Sequence, residues 1–142
     1  MQNKISGKRA LIILGHGSRA TGAADDMEKV ALQLKERLDY EIVEICQMSG
    51  RGILFPEVFD RCVEQGAASV LVLPYFLHRG VHILLDVPGM MKEKAEAYPG
   101  VKVVLGSNLG FDEALVDIVM KRVRESEDFS DIREMSLPDL ED

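Results

Sequence analysis

The chain has 142 residues, of which 46% are hydrophobic and 29% charged, and its formal net charge is -7. This length suits one globular domain with a substantial core. The negative charge argues against a surface for nucleic acid or for an anionic membrane. The apolar runs are shorter than the roughly 20 residues that a membrane span needs, and the first residues lack the apolar core of a signal peptide. We therefore expect a cytoplasmic protein.

Four β-rich runs alternate with helical patterns. The predicted strands are residues 9–14, 41–46, 69–73 and 101–105. The first, third and fourth are nearly continuous Val, Ile and Leu runs, typical of parallel strands covered on both faces. The order βαβαβαβα predicts an α/β fold with a doubly wound, four-stranded parallel sheet. We expect one domain over residues 1–125 and an acidic, flexible tail over residues 126–142.

Amphipathic segments between the strands predict helices. In the first two segments, apolar residues recur at helical spacing: Met27, Val30, Ala31, Leu34 and Leu38, then Val58, Phe59, Cys62 and Val63. A third helix is predicted to begin near Asp86 as N-cap, with Pro88 in its first turn. A fourth, over residues 112–125, is predicted to turn four apolar residues inward: Leu115, Ile118, Val119 and Val123. Cys46 and Cys62 lack metal-type spacing and are predicted to be small core residues.

Glycines concentrate where the predicted strands end. Eight of the 12 glycines follow a strand or close the first loop: Gly15, Gly17, Gly22, Gly50, Gly52, Gly80, Gly106 and Gly110. Ligands of doubly wound sheets bind outside the carboxyl ends of the strands. The pattern therefore indicates a functional surface where the backbone makes close approaches or adopts positive φ.

The loop after the first strand, "LGHGSR" at residues 14–19, allows more than one interpretation. "GHGSRA" fits the dinucleotide fingerprint G-x-G-x-x-A, but the acid expected to bind a ribose is missing, because Glu44 lies inside the second strand. A nucleotide-binding module is therefore the less favoured alternative. His16 in this loop, with His78 and His82 after the third strand, favours a metal-handling site. Neutral imidazole binds Co²⁺, Ni²⁺, Fe²⁺ or Zn²⁺ and accepts protons near pH 7.

Two motifs together resemble a known family. G-H-G-S-R follows the first strand, and P-x-F-L-x-x-G-x-H-x-x-x-D-x-P follows the third. This combination is similar to the short form of the class II tetrapyrrole chelatases, which comprise the sirohydrochlorin cobaltochelatases and their nickel and iron relatives. The resemblance covers about residues 10–105.

The resemblance implies ATP-independent insertion of a divalent metal, Co²⁺ first and otherwise Ni²⁺ or Fe²⁺, into sirohydrochlorin. It implies that His16 and His82 are the metal-binding and catalytic residues, and it carries no ligand role onto His78. It also implies a homodimer, because the long forms of the family fuse two such halves. No nucleotide cofactor, nucleic acid or membrane partner is expected.

Three arginines follow three strands at the same end of the predicted sheet. Since the planar guanidinium suits carboxylates, they favour a surface that binds the acidic substituents of a tetrapyrrole. The predicted substrate-binding residues are Ser18, Arg19, Arg51, Arg79 and Gly80.

The segment after the second strand, "MSGRGILFPEV", differs from the family pattern. Pro56 is kept, but Ser49, Gly50 and Arg51 stand where relatives often have an acidic residue and then serine and proline. A carrier that binds metal or tetrapyrrole without turnover is therefore the alternative from another functional class.

Overall fold

The computed structural model describes residues 7–17, 25–48, 53–78 and 80–137. The strands are β1 (Lys8–Gly15), β2 (Ile42–Gln47), β3 (Ala67–Pro74) and β4 (Lys102–Leu105). They form one sheet in the order β2-β1-β3-β4. All three strand pairs are parallel. The doubly wound parallel sheet predicted from the sequence is confirmed, including the contact between the first and third strands.

The helices alternate with the strands along the chain. They are α1 (Asp25–Arg37), α2 (Phe55–Glu64), α3 (Val87–Ala97) and α4 (Glu113–Ser126). A π-helical turn (His82–Asp86) leads into α3, and a short 3-10 turn (Ile132–Glu134) follows α4. No helix within the described ranges has the length and apolar character needed to cross a membrane.

The core lies on both sides of β1. Residues 10–14 of this strand are at most 3% exposed, as expected for a central strand covered on both faces. On one side, Ile12 and Val72 pack with Phe59 of α2 and Val87 of α3. On the other side, Leu11 and Ile13 pack with Met27 of α1. Cys46 and Cys62 are free and buried in the first cluster, which confirms their predicted core role.

The outer strand and the last helix depart from the prediction. β4 lies at the side of the sheet, where Val104 and Leu105 are 37% and 38% exposed, so this strand is not covered on both faces. The prediction that the apolar residues of α4 face inward is wrong for the single chain. Leu115 is half-buried, whereas Ile118, Val119 and Val123 are exposed. Helical periodicity identifies an apolar face but not the surface that covers it.

α3 begins at Val87, directly after Asp86, as predicted, but a helical turn that was not predicted precedes it. Asp86 stands at the N-cap position without acting as a cap, because its φ of -72° and ψ of -43° are helical and its side chain makes no capping hydrogen bond. The chain is already helical from His82. Pro88 does lie in the first turn of α3. Because proline has no N–H to donate, the turn before it can widen to π geometry without losing a hydrogen bond from that position.

The tail after α4 is exposed over residues 127–137. Its short 3-10 turn is capped by Asp131, whose carboxylate accepts a hydrogen bond from the Arg133 backbone N–H at 2.8 Å. The domain boundary at residue 125 and the flexibility of the tail stay predictions.

Candidate functional site

The end of β1 is held from both sides by its neighbouring strands. The backbone N–H of Met48, just after β2, donates to the Gly15 carbonyl at 3.0 Å. The N–H of Tyr75, just after β3, donates to the Leu14 carbonyl at 2.8 Å. His16 is the next residue, so the imidazole starts from a backbone fixed by three strands at the carboxyl end of the sheet.

The two glycines on either side of His16 meet different physical constraints, close packing at Gly15 and backbone conformation at Gly17. A Cβ on Gly15 would lie 2.6 Å from Met27 Sδ and 2.7 Å from Gln47 Oε1, so a larger residue would have to displace these two buried side chains. Gly17 has a φ of +113°, which other residues rarely adopt. One glycine lets the strand end pack tightly against α1 and β2, and the other turns the chain away from the sheet.

The His16 side chain lies at the surface and contacts the loop after β3. Its ring centroid is 5.5 Å from that of Phe76, with the two planes tilted by 45°. Leu14 pairs with Pro74 in the β1–β3 register, so His16 and Phe76 each lie two residues beyond a paired position. The loops after the first and third strands thus meet, as predicted. Among the described residues, His16 contacts Phe76 rather than a second histidine.

The loop after β3 is tied to the loop after β4. The Asn108 Nδ2 group donates to the Leu77 carbonyl at 3.1 Å and to the Phe76 carbonyl at 3.4 Å. The Leu109 N–H also donates to the Phe76 carbonyl, at 2.9 Å. These bonds support the residue that contacts His16. The sequence motif contains Phe76 but did not predict its contact with His16, and it did not include Asn108, because a motif gives no distances between loops.

His82 opens the π-helical turn, and the N–H of Leu84 donates to the Gly80 carbonyl at 3.1 Å. The side chain of His82 is outside the described part of the structure, so its distance to His16 stays untested. His78 lies in an exposed bend before this turn. π-Helical turns are rare and are found disproportionately at functional sites.

Most of the predicted substrate-binding residues also lie outside the part of the chain that the structure describes. Ser18, Arg19, Arg51 and Arg79 lie in the segments that the structure does not describe. Gly80 is exposed, and among the described atoms none lies within 4 Å of the position that a Cβ would take. This residue therefore leaves open space beside the π-helical turn.

The charged residue inside β2 has a structural partner. Glu44 accepts a hydrogen bond from Arg61 of α2 at 2.6 Å and lines a cleft of about 250 Å³ together with Gln47 and Cys46. In the described residues, no three His, Cys, Asp or Glu side chains lie close enough to share a metal ion. Among the described residues, His16 is a possible metal ligand at the carboxyl end of the sheet, because imidazole can bind a divalent metal or accept a proton.

Comparisons with known proteins agree with this geometry. The CbiX family model matches residues 10–126. The chain is 32% identical to the sirohydrochlorin ferrochelatase of Priestia megaterium over 117 residues, which are 82% of this chain and 44% of the relative. It is 30% identical to the sirohydrochlorin cobaltochelatase of Methanococcus aeolicus, over 81% of this chain and 97% of the relative.

Among solved structures, the chain resembles the sirohydrochlorin chelatase SirB from Bacillus subtilis subspecies spizizenii in complex with cobalt. The TM-score is 0.77 at 28% identity, and the match covers 83% of this chain and 50% of that one. The chain thus spans about half of the Priestia and Bacillus proteins and nearly all of the Methanococcus relative. With the family model matched over most of its length and its first histidine at the carboxyl end of the sheet, the chain belongs to the CbiX family.

Proposed function

We propose that this protein inserts a divalent metal ion into sirohydrochlorin without ATP. The relatives named above support this substrate, since one is a sirohydrochlorin ferrochelatase and the other a sirohydrochlorin cobaltochelatase. We propose Co²⁺ as the metal, because the relative of nearly the same length is a cobaltochelatase and the similar SirB structure contains cobalt. Fe²⁺ is the second candidate, as the Priestia relative is a ferrochelatase, and Ni²⁺ is the third.

The observation that carries the proposal is the position of His16. The residue follows a strand end fixed by two neighbouring strands, and its ring is exposed beside Phe76. A macrocycle that approaches the carboxyl end of the sheet would therefore meet the His16 imidazole on a strand end held by its neighbours. A preorganised donor of this kind is what a metal-transfer site requires.

The chemistry needs two ligands and two proton acceptors. Insertion moves M²⁺ from water and protein ligands to four pyrrole nitrogens, and two pyrrole N–H protons leave. We propose that His16 and His82 hold the incoming ion, and that each imidazole takes one proton as its bond to the metal breaks. The protons then pass to solvent, which restores both neutral histidines.

We further propose that Ser18, Arg19, Arg51, Arg79 and Gly80 bind the substrate, with the arginines pairing with its carboxylates. A tetrapyrrole is large for one end of a four-stranded sheet. We therefore propose that the active form is a homodimer.

The test is metal insertion followed by absorbance, with sirohydrochlorin and Co²⁺, Fe²⁺ or Ni²⁺ supplied separately. The wild-type protein should accelerate insertion of at least one metal. His16→Ala and His82→Ala should each lose at least about 100-fold in rate, as expected when a proton acceptor is removed. His78→Ala is the matched control and should keep most of the activity.

Two results would contradict the proposal. Near-wild-type insertion by His82→Ala would remove that residue from the site. Tight binding of sirohydrochlorin or metal by the wild-type protein, with no acceleration for any of the three metals, would favour the non-catalytic carrier instead.

A further inference from the structure

The His16 side chain can rotate about two bonds even though its backbone is fixed. The strand end below it is held by β2 and β3, but the side chain itself is exposed at the surface. An exposed side chain moves between rotamers within nanoseconds unless its neighbours restrict it. The Phe76 ring, whose centroid is 5.5 Å away and whose plane is tilted by 45°, is a neighbour of this kind. The orientation of the imidazole therefore depends in part on how firmly Phe76 is held.

Phe76 lies beyond the support of the sheet. The β1–β3 register ends at the pair of Leu14 and Pro74, and the Tyr75 N–H donates to the Leu14 carbonyl at 2.8 Å. Phe76 follows this hydrogen bond and is half-buried. The strand ladder alone therefore does not fix its position.

The loop after β4 supplies further support. The Leu109 N–H donates to the Phe76 carbonyl at 2.9 Å. The Asn108 Nδ2 group donates to the same carbonyl at 3.4 Å and to the next one, that of Leu77, at 3.1 Å. A carbonyl oxygen has two lone pairs and an amide nitrogen has two protons, so each group can serve two partners at once. One side chain thus ties together the two peptide groups that follow the Phe76 Cα.

The backbone around Asn108 is itself anchored. Directly after β4, the Gly106 N–H donates to the Val72 carbonyl of β3 at 2.8 Å. Asn108 follows two residues later and is half-buried, and Leu109 then makes its hydrogen bond to Phe76. The amide is therefore presented from a loop that is hydrogen-bonded on both sides of Asn108.

The donors of Asn108 are directed at the protein rather than at a ligand. Both protons of its Nδ2 group have a carbonyl acceptor in the loop after β3. The amide N–H groups can therefore affect a bound substrate through the backbone that they hold, and not by donating to that substrate. This separates Asn108 from residues that touch the reacting atoms.

We propose that Asn108 is a positioning residue of the metal-transfer site, because its amide holds Phe76 beside His16 and so restricts the orientation of the imidazole. Its effect on turnover rests on the chelatase function proposed above. Its effect on His16 does not, because the contacts that carry it are present without metal or tetrapyrrole. The loop after β4 thereby becomes part of the site, although it lies beyond both sequence motifs.

The first measurement observes the His16 ring by NMR in protein that contains neither metal nor tetrapyrrole. It is made at about pH 8.5, where histidine side chains are ordinarily neutral. The chain has three histidines, so the Cε1–H signal that disappears in His16→Ala identifies this residue. The circulating electrons of an aromatic ring shift the signals of protons beside it, so Phe76→Leu should move the His16 signal. Asn108→Ala should move it in the same direction, because the Phe76 ring is then held less firmly.

Two further variants show whether the hydrogen bonds are responsible. Asn108→Asp has the shape of asparagine but no N–H to donate, so it should behave like Asn108→Ala. Ser107→Ala is the matched control, since this neighbour is exposed in the same loop, and it should leave the His16 signal in place. A His16 signal that stays at its wild-type position in both Asn108 variants would overturn the proposal.

The second measurement is a double-mutant cycle on sirohydrochlorin chelation, with the metal that the wild-type protein inserts. Asn108→Ala should lower kcat by about 10-fold, the low end of the range for residues that orient metal ligands, with KM for sirohydrochlorin nearly unchanged. Phe76→Leu should lower kcat by a similar factor. Because Asn108 acts through Phe76, the double variant should also lose about 10-fold, whereas independent effects would multiply to roughly 100-fold.

The cycle has outcomes that contradict the positioning role. A multiplied loss in the double variant, or a higher KM with kcat unchanged, would mean that Asn108 acts by its own contact with substrate. A wild-type protein that inserts no metal would instead contradict the proposed function, and the NMR comparison would still decide whether Asn108 positions His16.

Discussion

At the scale of single residues, the position of His16 depends on the two glycines beside it and on the loop after β3. Gly15 lets the end of the strand pack closely against buried side chains, and Gly17 adopts a φ of +113°. The ring of Phe76 lies beside that of His16, and the Phe76 carbonyl accepts a hydrogen bond from Asn108, which lies 32 residues further along the chain. The surroundings of His16 are therefore built from loops that are distant in the sequence.

The prediction that arginines bind the carboxylates of the substrate is best tested at Arg51, because this residue lies in the segment that differs from the family pattern. If its guanidinium pairs with a substrate carboxylate, the contact contributes roughly 1.5–3 kcal/mol. Arg51→Ala should then weaken apparent sirohydrochlorin affinity by about 10- to 150-fold, and turnover at saturating substrate should change much less. Added salt should weaken wild-type affinity in the same direction. An unchanged affinity at low and high salt would leave Arg51 as a solvated loop charge.

The buried cysteines give a prediction about alkaline pH. Burial raises the pKa of the Cys46 and Cys62 thiols from 9.0 to about 12. Because the folded protein keeps them protonated while the unfolded chain ionises them, their contribution to stability is complete below pH 9 and is lost as the pH rises from 9 towards 12. At pH 10 the loss should be about 1 kcal/mol per thiol.

Urea unfolding at pH 7.5 and pH 10 measures this loss. Other groups also titrate in that range, so the comparison is with a Cys46→Ala, Cys62→Ala double variant, which should lose less stability between the two pH values. Equal losses in both proteins would show that the thiols do not carry the effect.

At the scale of elements, periodicity predicted the four strands and four helices but not every terminus or neighbour. α2 was recognised from Val58, Phe59 and Cys62, and all three are fully buried. The start of α3 after Asp86 was predicted, but the π-helical turn before it was not, because an aspartate two residues before a proline matches the usual capping pattern and a π-helical turn has no comparable sequence pattern. The N-terminus of α4 was placed correctly, since the Asp112 carboxylate accepts a hydrogen bond from the Ala114 N–H at 2.9 Å.

The apolar pattern of α4 was recognised, but its partner was not. The same spacing of Leu115, Ile118, Val119 and Val123 suits a helix that packs on its own sheet and one that packs on another chain. The two cases differ only in the direction that the chain takes after β4, which depends on a few loop dihedral angles. The same ambiguity explains why the resemblance implied a dimer while the residue pattern alone implied a complete core.

At the scale of the whole molecule, the proposed homodimer would couple association of two chains to their folding. A dimer that unfolds directly to two chains gains stability as the protein concentration rises, whereas a monomer does not. Each tenfold increase in concentration adds about 1.4 kcal/mol per dimer. For two chains of 142 residues, the entropy of unfolding is roughly 0.6 kcal/mol/K.

The melting temperature of the wild-type protein should therefore rise by about 2 °C for each tenfold increase in concentration, and by about 4–5 °C over a hundredfold range. Circular dichroism at low concentration and calorimetry at high concentration can cover that range. Val119→Glu should melt at a lower temperature that does not depend on concentration, because a carboxylate at this exposed apolar position of α4 opposes burial against a second copy. Lys121→Glu should follow the wild-type slope. A wild-type melting temperature that stays constant over the hundredfold range would mean that the single chain is the folding unit, and α4 would then need a different source of stability.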